Sequence, residues 1–372
     1  MNKKAIYVFG LIVIVFSACD SFRRPPAVLE GNFYIHIINQ DSAIEIAGYT
    51  GVDTDIEIPP SLRDLPVAVI GNEAFRGEHW DYDIHTQREV FIEGHALSSV
   101  IIPYGVTHIG DRAFSNNLLE TLIIPDSVTS IGNSAFASNQ LTDIAISNSI
   151  IVIERGVFSW NQLSSVTLHD NITDIGASAF SNNLIDSIII PESVTHIGDR
   201  AFSNNEITNI IIPESIRVID SGAFERNRIT DLVIPDSVIH IGVGAFGSNQ
   251  LSSIVIPESI TSIQGFTFIG NRLMTVTIPG SITHIGESAF SHNLLTSIII
   301  PENVTHIGWG AFAENQITKI NIGSNVTIKE TPNWFRGEDI FGTSFARFYE
   351  SKGRRAGTYI YKNGEWIVRF RY

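Results

Sequence analysis

The chain has 372 residues and a formal net charge of −15, with 24 basic against 39 acidic side chains. That balance excludes a nucleic-acid binder, because a polyanion partner needs a positive field to release its counterions. A single cysteine excludes a disulfide framework within the chain.

The first element in chain order is a targeting segment. Met1-Asn2-Lys3-Lys4 is a basic start, and the apolar run from Ala5 to Phe16 has the length of a signal-peptide core. It falls short of the roughly 20 apolar residues that a membrane-spanning helix needs. Phe16-Ser17-Ala18-Cys19 resembles the lipobox of bacterial lipoproteins, whose cysteine is acylated and becomes the first mature residue. An unpaired thiol is a liability in an oxidising compartment, and lipid on Cys19 removes it. Residues 1–18 are therefore expected to be a lipoprotein signal peptide. Residues 19–44 are expected to be lipid anchor, linker and the start of an N-terminal cap. Loss of Lys3 and Lys4 leaves 22 basic against 39 acidic residues, a net charge of −17.

Beyond this point the sequence repeats itself. Phenylalanine recurs every 22 residues from Phe114 to Phe312, and asparagine keeps the same period from Asn117 to Asn315. One clean copy runs from Asn183 to Phe202. Its Ile185, Ile188 and Ile190 carry the spacing of a short strand, and Pro191 ends the ladder where its missing N–H does no harm. Val194 and Ile197 are expected to return on the far side of the coil. One such unit buries too little apolar surface to offset the entropy of ordering it, so the units must stack. The asparagines are expected inside the bend, bonded to the backbone of adjacent coils, with the phenylalanines filling the opposite arc.

The run Ile-Pro-x-Ser-Val-Thr-x-Ile-Gly-x-x-Ala-Phe resembles the BspA-like leucine-rich-repeat family over about residues 45 to 328. The resemblance implies a cell-surface protein that acts in adhesion to host matrix proteins or to other microbes. The fold expected is a mainly β repeat solenoid of leucine-rich-repeat type, with a 22-residue period and a right-handed coil. Residues 45–94 read as a degenerate first repeat with an insert, and 95–328 as the array. In 329–372, Phe341, Phe345 and Phe348 fall at helical spacing, and Tyr359 to Val368 alternates around the turn pair Asn363-Gly364. A helix plus hairpin there would cap the last coil.

Chemistry is harder to find. Gly242-Val243-Gly244-Ala245-Phe246-Gly247 satisfies a dinucleotide fingerprint, but its residues occupy ordinary repeat positions and the required crossover helix is missing. His108, His196, His240, His284 and His306 share one phase, which the array fills equally with Ser130, Val152 and Asp174. The insert from His79 to His85 alternates His and Asp without a nucleophile. These features support no catalytic residue, no metal site, no cofactor and no small-molecule substrate.

The outward strand position is the candidate binding surface. Ile123, Ile189, Ile211, Val233, Val255 and Ile299 fall in this column, together with Ala145, Thr167, Thr277 and Asn321. Strand alternation points them away from the core, and exposed aliphatic surface of that extent marks an interaction site. The expected function is that of a non-enzymatic envelope lipoprotein which binds extracellular or cell-surface proteins. It would be held to the membrane, at the outer membrane and surface exposed, through lipid on Cys19. A structural scaffold of the bacterial envelope is the alternative.

Overall fold

The computed structural model describes residues 26–83, 88–92, 94–329 and 343–370. Cys19, Ile84, His85 and Phe341 lie outside them. The array is a β-solenoid in which most coils carry two short strands separated by a turn that usually begins with proline, Ser147 and His169 standing at that position in two coils. In one coil these are Ser187–Ile189 and His196–Ile197, and the chain then turns through Ala201-Phe202 into the next coil. Ile185, Ile188, Ile190, Val194, Ile197, Ala201 and Phe202 are all buried, so these seven positions of the repeat face one continuous core.

Phenylalanine forms the spine of that core. From Phe75 to Phe312 each ring stacks on the next, with centroids 5.1 to 6.0 Å apart and planes within 13° of parallel. Beside it runs the asparagine column, which is buried and bonded across coil boundaries as expected. Its location differs from the sequence expectation. The Nδ2 of Asn205 donates to the carbonyl of Phe202, three residues earlier, at 3.1 Å. The two columns are therefore neighbours on one turn and do not occupy opposite arcs.

Glycine sets the spacing on the second strand's far side. A Cβ on Gly198 would come 2.8 Å from Ala177 N, and one on Gly286 would come 2.3 Å from Gly265 N, so the backbones of successive coils touch at this column. Two further positions per coil, two residues before and two after the phenylalanine, adopt positive φ. Gly222 and Gly310 suit that conformation, whereas Trp160 and Phe266 occupy it at φ 57° and 61°.

The two strand columns are not equally regular. The second forms longer parallel ladders, such as Val152–Ile153, Asp174–Ile175, His196–Ile197, Val218–Ile219 and His240–Ile241. The first pairs two by two, as in Asp143–Ala145 with Ser165–Thr167 and Ser187–Ile189 with Asn209–Ile211. Residues 121–123 and 231–233 form no strand. Those two coils carry Leu122 and Leu232 where the paired strands carry Ile or Val, and a side chain not branched at Cβ favours the extended backbone less.

Both ends are covered. At the start, Val28–Glu30, Phe33–Ile38 and Ala43–Tyr49 form an antiparallel meander whose last strand joins the second ladder through Leu65–Ile70. Phe33 and Tyr49 close the top of the phenylalanine stack against Phe75. The unit with Asp55–Glu57 is a true coil, paired in parallel with Ser99–Ile101, and the insert after it folds as a hairpin of His79–Asp83 and Arg88–Ile92. At the far end, Lys319–Ile322 pairs antiparallel with Gly357–Lys362, which turns at Asn363-Gly364 into Glu365–Phe370. The helix Thr343–Ser351 presses Phe345 and Tyr349 against Tyr359, and Tyr349 Oη donates to Gly323 O of the last coil at 2.7 Å. A helix and hairpin thus replace the missing next coil, which protects the open edge.

Candidate binding surface

The first strand and the turn after it build the candidate surface. In each coil the middle residue of the strand points inward, as Ile188, Ile210, Ile254 and Ile298 do, and the next residue points to solvent. Ile123, Ile189, Ile211 and Val233 are 81 to 86% exposed, and Val255 and Ile299 are 66% and 69% exposed. Ala145, Thr167 and Thr277 continue the column, and Asn321 at its end is half-buried. Ile101 also belongs to it, at 59% exposure, and was missed because the long insert obscures the first units of the repeat. Its signal was present in Val100-Ile101-Ile102-Pro103, which matches the strand and proline of later coils.

The turn that follows is held in register by side chains. Ser193, Ser215, Ser259 and Ser281 each donate through Oγ to a carbonyl of the preceding coil at 2.6 Å, to Ile172, Val194, Val238 and Ile260. The residue before each of these serines is therefore also stacked at the coil spacing. Glu192, Glu214 and Glu258 occupy that exposed position, Gly280 precedes Ser281, and Asp170 and Asp236 hold the same phase in coils without this serine bond. An aliphatic column and an acidic column consequently run side by side along the solenoid axis.

The histidine column lies on the second strand. His284 and His306 stack in parallel, with centroids 4.8 Å apart and planes 3° apart. His196 Nε2 lies 2.7 Å from Asp220 Oδ2, and its Nδ1 lies 3.9 Å from Asp174 Oδ1. Asp220 stands at the glycine phase of its coil, and that one replacement lets a carboxylate reach the preceding coil. Among the described residues no group of three or more His, Cys, Asp or Glu side chains is arranged to hold a metal ion. Gly242, the first glycine of the apparent fingerprint, packs so closely that a Cβ would lie 2.4 Å from Ser221 N, and that contact serves coil stacking.

These features define a repeat scaffold with a solvent-facing strand surface. The chain matches the family model of the BspA type leucine rich repeat region, in six copies, over residues 85–208, 152–263 and 217–338, and it belongs to that family. A leucine rich cell surface protein from Faecalibacterium prausnitzii A2-165 is similar at 25% identity, over 82% of this chain and 90% of that one, with a TM-score of 0.47. A leucine-rich repeat protein from Bacteroides ovatus ATCC 8483 is similar at 22% identity, over 81% and 90%, with a TM-score of 0.45. The pneumococcal vaccine antigen PcpA is similar at 18% identity, over 81% and 82%, with a TM-score of 0.50. No curated protein matches the sequence.

Proposed function

We propose that this protein is a non-enzymatic lipoprotein of the bacterial envelope, anchored through Cys19, that binds other proteins along its first-strand surface. Adhesion to host matrix or to other cells is the use this reading assigns. One observation carries it: Ile123, Ile189, Ile211, Val233, Val255 and Ile299 form an exposed aliphatic column in a chain of net charge −15. Single exposed hydrophobic residues are ordinary, but a column of them on one face marks an interaction surface. The repeat supports broad contact, because each coil adds one more residue at a spacing of about 4.8 Å.

The test is binding of the full chain to immobilised extracellular-matrix proteins and bacterial surface fractions. A variant with Ile189, Ile211, Val233 and Val255 changed to Ser is measured beside it. Loss of binding in a variant with an unchanged circular dichroism spectrum supports the column as the working surface. Equal binding by the variant moves the site to the insert or to the basic C-terminal cap. Removal of the protein from intact cells by added protease tests surface display.

A further inference from the structure

The charges beside the aliphatic column narrow the kind of partner it suits. Resting on the reading above, we infer that the partner presents a cationic amphipathic protein segment. Its apolar stripe lies on Ile189, Ile211, Val233 and Val255, and its lysines or arginines run along the flank formed by Glu192, Glu214, Asp236 and Glu258.

Three observations lead there. First, charge is segregated by column and not spread by composition. In ten coils, the seven positions from three before the exposed strand residue to three after it hold eleven carboxylates and one cation, Lys319. The arginines of the array stand elsewhere, and most cluster around the Phe–Asn turn, as Arg200, Arg226 and Arg228 do. Second, the acidic column is not neutralised from within. Asp170, Glu192, Glu214 and Asp236 form no salt bridge among the described residues. The nearby Arg217 donates to the backbone carbonyls of Glu214 and Ser237, at 3.2 and 3.3 Å. Third, the serine bonds fix the turns that carry Glu192, Glu214 and Glu258, and with Asp236 in the same phase these carboxylates follow one another at the coil spacing of about 4.8 Å, where like charges repel each other. A row of cations laid along the axis relieves that repulsion, and the apolar column beside it supplies contact that does not depend on charge.

The same pattern argues against the other occupants. A polyanion meets a flank of its own sign. A second copy would have to offer its C-terminal cap, where Ser344 to Tyr372 carry seven basic and two acidic residues. Three of the cap's seven cations are already engaged: Arg354 pairs with Glu350 at 2.6 Å, Arg355 lies 4.3 Å over Phe370, and Lys352 lies 5.1 Å over Phe348. The cationic segment of a different protein is the occupant that fits both columns.

The experiment uses the full-length chain in detergent micelles and three synthetic peptides of one length. One is an amphipathic leucine–lysine helix, one its leucine–glutamate counterpart, and one a lysine–serine peptide with the same charge and no apolar face. Two variants are compared with the unaltered chain: Ile189, Ile211, Val233 and Val255 to Ser, and Glu192→Gln, Glu214→Gln, Asp236→Asn, Glu258→Gln together. The leucine–lysine peptide is expected to bind, to weaken about tenfold as salt rises past the point where surface charges are screened, and to lose at least tenfold in either variant. The other two peptides are expected to bind at least tenfold more weakly. If the neutralised variant keeps full affinity while the serine variant loses it, the cationic inference fails and the aliphatic reading survives. If the serine variant keeps full affinity while the neutralised one loses it, both fail and the face is a simple cation attractor. Concentration-dependent self-association that the neutralised variant abolishes would overturn the inference in favour of a second copy.

Discussion

Asn205 reaches back across a coil boundary to Phe180: its Nδ2 donates to the Phe180 carbonyl at 2.9 Å, and its Oδ1 accepts the N–H of Ile185 at 3.1 Å. One buried amide thus satisfies a carbonyl and an N–H of the coil before its own, while it also bonds the Phe202 carbonyl in its own turn. Removing it leaves the buried Ile185 N–H without a partner, while the Phe180 and Phe202 carbonyls keep the bonds they accept from Asn183 and Asn227. Asn205→Ala is expected to lower stability by about 1–3 kcal/mol, the cost of one orphaned buried group. The neighbouring Asn204→Gly, which keeps the left-handed turn and loses only an exposed bond to Asn182, should change it by less than about 0.5 kcal/mol. Urea unfolding of the two variants checks the contrast, and equal effects would show that the buried network is not what holds the coils.

The glycine column makes a second contrast. A Cβ on Gly286 would sit 2.3 Å from Gly265 N and 2.5 Å from Gln264 C, both backbone atoms of the preceding coil. Gly286→Ala must push two coils apart and is expected to cost about 1–3 kcal/mol. A Cβ on Gly280 meets nothing within 4 Å, so Gly280→Ala should be neutral or slightly stabilising. Thermal melts of the pair measure this. A neutral Gly286→Ala would mean that the coils slide apart without loss.

Much of this architecture was legible because each apolar position recurs in phase. The Phe and Asn periods, the proline turn, the outward column and the Asn363-Gly364 hairpin all follow from local spacing. What stayed hidden depends on neighbours in space. The loss of the first strand at residues 121–123 and 231–233 falls at Leu122 and Leu232, a change that a hydrophobic pattern does not distinguish from Ile, and the breaks between Ser165–Thr167 and Ser187–Ile189 and between Thr275–Thr277 and Ser297–Ile299 fall between coils that carry Ile or Val. The hydrogen bond of His196 depends on Asp220, which lies 24 residues away in sequence and looks like a lapse in the glycine phase. The short second strand was foreseen only as a return of Val194 and Ile197, because two residues are too few to show alternation. The side-by-side placement of the Phe and Asn columns follows from the tightness of a turn that composition does not reveal.

Trp160 is an aromatic residue in a left-handed conformation, at φ 57° and 62% exposed. A side chain there costs about 1–2 kcal/mol relative to a right-handed position, and exposure returns little of it through burial. The same phase carries Asn116, Asn182 and Asn204 in other coils, and asparagine tolerates this conformation. Trp160→Asn is therefore expected to raise stability by about 0.5–1 kcal/mol. A rise in the urea midpoint checks it. An unchanged or lower midpoint would mean that indole contacts outweigh the backbone strain.

His95 links the first coils to acidity. Burial pushes its imidazole below the ordinary histidine range, and a hydrogen bond with the Tyr49 backbone offsets part of that shift. Its ring lies 5.1 Å from that of Tyr49, which in turn packs on Phe75 at the head of the spine. The unfolded chain takes up a proton near pH 6.5, whereas the folded chain keeps His95 neutral to lower pH. Between those two values the unfolded state binds more protons, so the stability associated with His95 is complete above about pH 6.5 and falls as pH drops through the window. Below the folded value the loss levels off. His95→Gln keeps a polar, neutral side chain and removes the proton uptake. Urea midpoints of the two proteins between pH 7.5 and 5.5 should therefore diverge in slope, with the unaltered chain losing stability faster on acidification. Parallel slopes would show that His95 is protonated as readily in the folded chain as in the unfolded one, and that its packing against Tyr49 leaves it open to water.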